Sequence, residues 1–100
     1  MIDLHAEEYN DLLYSGQDLL LFFCRPGEAQ SELQESILKD VDRLIPKRFE
    51  ICRIQCPEEN LLMELFNVKE TPQMILLRDK RIYKRQEGYT PYQIVIRMMQ

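Results

Sequence analysis

The stretch "LFFCRPGEAQSELQ", residues 21–34, gathers the groups on which this chain could base a reaction: a thiol at Cys24, a guanidinium at Arg25, a Pro-Gly turn, and a series of carboxylates beginning at Glu28. A thiolate nucleophile needs the positive end of a helix or a neighbouring cation, and a dithiol enzyme needs a second cysteine close enough to resolve the mixed disulfide. The other two cysteines, Cys52 and Cys56, lie far along the chain and share no repeating spacing with Cys24. The single histidine, His5, is distant in sequence from all three. Neither a zinc site nor a disulfide framework is supported, and no cofactor is expected. Cys24 remains the one catalytic candidate, for a monothiol exchange that Arg25 would favour and Glu28 would oppose. The simpler reading is that Cys24 closes a buried strand as a small apolar residue.

The other polar and soft residues read as scaffold. Glu28, Glu32 and Glu35 are expected along a solvated helix face, complementing the N-terminal dipole. His5 is expected to cap or precede the first helix and is assigned no catalytic role. Cys52 lies inside a predicted central strand and reads most simply as a core residue. Cys56, at that strand's end, would approach Cys24 if the two strands were parallel neighbours, so a bridge between them is the one disulfide to test, against a general expectation of reduced thiols. Met63, Phe66, Met98 and Met99 fit helical apolar stripes.

The elements that position these residues follow from periodicity. Ile2 and Leu4 alternate with polar neighbours as a short strand. Residues 6–15 predict a helix with Tyr9, Leu12 and Leu13 on one face, Glu7 and Glu8 in its first turn and Gly16 at its stop. "DLLLFFC" shows no alternation, as expected of a strand covered on both faces. A long helix spans 28–45, with Leu33, Ile37, Val41 and Leu44 as its apolar face and Pro46 at its end. Phe49, Ile51, Cys52 and Ile54 make the next strand, followed by a helix over 58–66 carrying Leu61, Leu62, Leu65 and Phe66. Gln73–Arg78 and 81–85 form a hairpin turning at Asp79 and Lys80. The last helix opens with Thr90 as N-cap and Pro91 at its first position, burying Ile94, Val95, Met98 and Met99.

Composition limits the partners. With 100 residues, 45% hydrophobic and 30% charged, the chain reads as one globular domain, residues 1–100, able to bury a core without a staple. A net charge of -4 with interspersed signs argues against nucleic acid. The longest apolar run, 19–24, is too short to span a bilayer and the first ten residues lack a signal-peptide pattern, so no membrane partner is expected and the cytoplasm is the default location.

Order and motifs together resemble thioredoxin over essentially the whole chain. "IDLHAEEYNDLL" followed by "DLLLFF" is similar to that family's first strand, first helix and central strand, and "VKETPQMILLRDKRIYKRQEGY" resembles its cis-proline, hairpin and groove glycine. The resemblance implies an α/β thioredoxin fold, a βαβαβαββα three-layer sandwich with a mixed central sheet and helices on both faces. It also implies a cis bond at Thr71-Pro72 and places Gly88 beside a groove. An ungapped match sets "GEAQ", residues 27–30, on the family's Cys-x-x-Cys and Leu21 on its buried acid. Both reacting thiols and the proton relay are then missing.

Three functions are open on this reading. The first is a non-catalytic module that binds a protein or extended peptide, resembling assembly chaperones of the same fold, in a groove formed by Arg25, Pro26, Gly27, Thr71, Pro72, Gln73, Gly88 and Tyr89. The second is a monothiol disulfide oxidoreductase using Cys24, and the third a structural or oligomerising unit with an exposed sheet edge. Sequence leaves the oligomeric state open.

Overall fold

Strand β2 (Asp18–Cys24) lacks alternation because both of its faces are covered: Leu19, Leu21 and Phe23 enter one core layer, Leu20, Phe22 and Cys24 the other. The computed structural model describes all 100 residues. It arranges β1 (Ile2–Asp3), β3 (Phe49–Gln55), β4 (Gln73–Arg78) and β5 (Arg81–Glu87) around β2 in the order β1-β3-β2-β4-β5. β3 runs parallel to β1 and β2, β4 antiparallel to β2, and β5 antiparallel to β4. The sheet is therefore mixed.

A short 3-10 turn (Ala6–Glu8) leads into α1 (Tyr9–Leu13), which with α3 (Asn60–Leu65) covers the layer holding Phe23, Ile54, Ile75 and Phe66. Helices α2 (Ala29–Asp42) and α4 (Tyr92–Met98) cover the layer of Phe22, Ile51, Met74 and Leu76 with Leu38, Val41, Val95 and Met98. Burying each large apolar side chain contributes about 1.5–3 kcal/mol, so two filled layers account for a stable fold. No helix is long and apolar enough to cross a membrane.

Several details differ from the sequence expectation. The first helix is split and ends at Leu13, with none of its residues fully buried. In α2 the buried face is Ser31, Gln34, Leu38 and Val41, whereas Leu33 and Leu44 are exposed. The stripe is rotated because Gln34, counted as polar, is wholly enclosed: its Nε2 donates to the Thr90 carbonyl at 3.0 Å and its Oε1 accepts the Thr90 N–H at 2.6 Å. That clasp also explains why Thr90 is not the N-cap of α4, a place taken by Pro91. In α3 only Leu62 and Phe66 of the anticipated four turn inward. The hairpin turn falls at Asp79 and Lys80, both with positive φ (50° and 66°), the twist that a two-residue connection requires.

Candidate functional site

Where β2 hands the chain to α2, Pro26 and Gly27 make a tight turn, closed by the Glu28 N–H donating to the Arg25 carbonyl at 3.2 Å; Gly27 adopts φ 81°. Glu28 is the N-cap residue of α2, but its carboxylate does not cap its own helix. Instead Oε1 accepts the Ser31 hydroxyl at 2.5 Å and the Thr71 hydroxyl at 2.9 Å. Ser31 Oγ in turn accepts the Arg25 N–H at 3.1 Å. One carboxylate thus ties the turn, the first turn of α2 and the segment before β4, across 43 residues of sequence. The expectation of a solvated acid fails here, since two hydroxyl donors half-bury Glu28.

The Thr71-Pro72 peptide bond is cis, as is Cys56-Pro57. The Gly88 N–H donates to the Pro72 carbonyl at 2.9 Å, bringing the glycine to the proline. Arg25, Pro26, Gly27 and Tyr89 are exposed and Thr71 and Gly88 half-buried, while Pro72 is buried. Gln73 differs from the expected surface role, being only 3% exposed. In register with Phe23, its side chain turns to the α1/α3 layer, where Nε2 has no hydrogen-bond partner.

The three cysteines are free and buried. Burial, reinforced by Glu35, pushes the Cys24 thiol up to about 12; burial likewise pushes Cys52 to about 12 and Cys56 to about 11. The anticipated approach of Cys56 to Cys24 is present in the backbone, where the Cys56 N–H donates to the Cys24 carbonyl at 2.7 Å. No bridge forms, because Cys24 belongs to the α2/α4 layer and Cys56 to the opposite one.

Beside the turn lies a polar cleft of about 240 Å³ lined by Cys24, Arg25, Gly27, Glu32, Glu35 and Arg53 among others. Sequence pattern does not single out Arg53, although a basic residue in the middle of the strand "FEICRIQ" is a signal. Its guanidinium grips Asp3 in two hydrogen bonds, at 2.6 and 3.0 Å, and Glu35 in a third at 2.8 Å. The Arg53 hydrogen bonds hold the Asp3 carboxyl below its usual range. For Glu35, burial pushes upward but is outweighed by Arg53 and Lys39, so its pKa also falls. Glu35 is an anchor for β3 and not a free surface acid.

His5 precedes the first helical turn without capping it by its side chain. Its Nδ1 meets Glu59 Oε1 at 2.5 Å, and Glu59 Oε2 accepts the Ala6 N–H at 3.0 Å. The hydrogen bond to Glu59 raises the His5 pKa. No group of three or more His, Cys, Asp or Glu is placed to hold a metal ion.

In sequence, no protein-family model and no curated protein matches this chain. In structure it superposes on a point-mutant thioredoxin from Halobacterium salinarum NRC-1, with a TM-score of 0.87, 13% identity, and coverage of 99% of this chain and 86% of that one. The chain has the thioredoxin fold. A second thioredoxin-fold neighbour comes from work on the thiol-resolving mechanism of a yeast mitochondrial 1-Cys peroxiredoxin via the glutathione/thioredoxin systems. It has a TM-score of 0.88 at 14% identity, covering 99% of this chain and 92% of that one. Identities this low carry the thioredoxin fold alone.

Within that thioredoxin fold, the turn after β2 and the cis-Thr71-Pro72 segment face each other across Glu28. The place offers hydrogen-bonding groups and exposed side chains, with its nearest thiol buried.

Proposed function

We propose that this protein is a non-catalytic binding module that takes an extended protein or peptide segment at the Thr71-Pro72 groove, in the manner of an assembly chaperone. The observation that carries this reading is the Glu28 carboxylate clamped between Ser31 and Thr71, next to a turn whose only thiol is buried. A thiol held at about 12 contributes almost no thiolate near neutrality, so exchange chemistry lacks its nucleophile. The backbone at Thr71, beside exposed Arg25, Pro26, Gly27 and Tyr89, supplies edge pairing and side-chain contacts for an extended ligand. Three free cysteines fit a reducing compartment such as the cytoplasm.

The monothiol reading keeps one supporting observation, that Cys24 lines the polar cleft beside Arg25. Site-resolved alkylation of the native protein against pH separates the two. The binding module predicts that Cys24 reacts as slowly as Cys52 up to about pH 9, where an ordinary thiol of pKa ~8.5 is already mostly thiolate. Fast alkylation of Cys24 alone, with a midpoint below the ordinary ~8.5, overturns it in favour of monothiol exchange.

A further inference from the structure

Strand β5 is the far edge of the sheet, and Arg81, Ile82, Tyr83 and Lys84 are all exposed on it. Five of the chain's 13 basic residues fall between Arg78 and Arg85, against the single acid Asp79, in a protein of net charge -4. The interspersed signs expected from composition do not hold locally. Two of the five make polar contacts: Arg78 lies 3.5 Å from Asp18, also stacking over Phe49 and Tyr83, and Arg85 donates to the Phe66 carbonyl at 2.7 Å. Lys80 lies over the Tyr14 ring. Arg81 and Lys84 have no ion-pair or cation-π partner.

Register places Arg81 opposite Arg78 and Lys84 opposite Leu76, so both project to the α2/α4 face of the sheet. Tyr83 occupies the bulge between them, where β5 carries one residue more than β4, and its ring meets Arg78 on that same face. An edge strand leaves a row of backbone N–H and C=O groups unpaired, and a bulge with cations is a common guard against pairing of like edges. The guard is selective by charge. A second copy of β5 would bring Arg81, Lys84 and Arg85 against their equivalents, whereas an acidic strand meets complementary charge.

We propose that β5 is a second docking edge, which pairs with an extended acidic segment of a partner protein whose carboxylates reach Arg81 and Lys84 while its backbone bonds to the strand. This surface does not depend on the Thr71-Pro72 groove. An acidic peptide suits it better than nucleic acid, because the free hydrogen-bonding groups of an edge strand run in the row that an extended peptide backbone pairs with.

The test is fluorescence anisotropy with a labelled decapeptide alternating Glu and Val, accompanied by amide chemical-shift mapping on the full chain. Expected is saturable binding, at least tenfold tighter than to the Lys/Val counterpart, with shifts centred on 81–87. The double variant R81E/K84E, at exposed positions, should weaken it tenfold or more while keeping the native spectrum elsewhere. A decapeptide N-methylated at alternate residues should also bind at least tenfold more weakly. Shifts centred away from β5, no binding at millimolar peptide, or undiminished binding of the N-methylated peptide overturns the proposal. Tighter binding of a single-stranded DNA decamer, or dimerisation through β5 without peptide, overturns it in favour of those partners.

Discussion

Gln73 shows how a single atom can mark a residue's state. Its Nε2 is buried and unpartnered, and a buried donor without an acceptor costs about 1–3 kcal/mol. Replacing it with a shape-matched apolar residue removes that cost. Gln73→Met is expected to raise stability by about 1 kcal/mol in urea unfolding; a loss of that size would mean that the amide is satisfied in solution. The same scale explains what sequence could say of the cysteines. Cys24, closing an unbroken apolar run, and Cys52, inside a strand, were legible as packing residues, and both are buried. Glu28 was legible only as a helix-start acid, because Thr71, its second hydroxyl donor, is 43 residues away.

Two long-range clasps hold elements in place. Gln34 is fully enclosed between α2 and the entry to α4 and satisfies both backbone groups of Thr90. Gln34→Ala would leave two buried backbone groups unpaired, a loss of about 3 kcal/mol on denaturant unfolding; a change under about 0.5 kcal/mol, the range for surface sites, would contradict the clasp. The second clasp joins His5 to Glu59 and so fastens the N-terminal segment to the turn before α3. The hydrogen bond to Glu59 raises the His5 pKa, with further help from Glu8 and Glu7. A raised folded-state pKa means that the charged pair stabilises fully below the unfolded-state value of ~6.5 and stops doing so as pH rises through the higher folded-state value. The Tm advantage of the native protein over His5→Gln should therefore be largest near about pH 5.5 and shrink towards about pH 9. A pH-independent difference would rule out the ionic contribution.

For the whole molecule, the decisive feature is a sheet covered on both faces. Leu20 and Leu21 are adjacent, point to opposite layers and are each fully buried. Leu20→Ala and Leu21→Ala should each cost about 2–5 kcal/mol, while Leu61→Ala, at an exposed position, should stay within about 0.5 kcal/mol. A large asymmetry between the first two would show one layer to be loosely filled. The architecture was readable at this scale because an unalternated strand, βα spacing and a two-residue hairpin turn each constrain topology independently.

Sequence by itself determined the strands β2 and β4 to the residue, the order of elements, the position of the hairpin turn and the absence of a paired thiol motif, all of which depend on neighbours a few positions apart. Tertiary structure alone decided the rotation of α2, the burial of Gln34 and Gln73, the carboxylate clamp of Glu28 and the grip of Arg53 on Asp3 and Glu35. It also decided that Cys24 and Cys56, joined through their backbones, face opposite layers. The physical reason is common to these cases. A polar side chain enters the interior only where a distant segment supplies its partner or packing leaves it no other direction, and local pattern is silent about which segment will arrive.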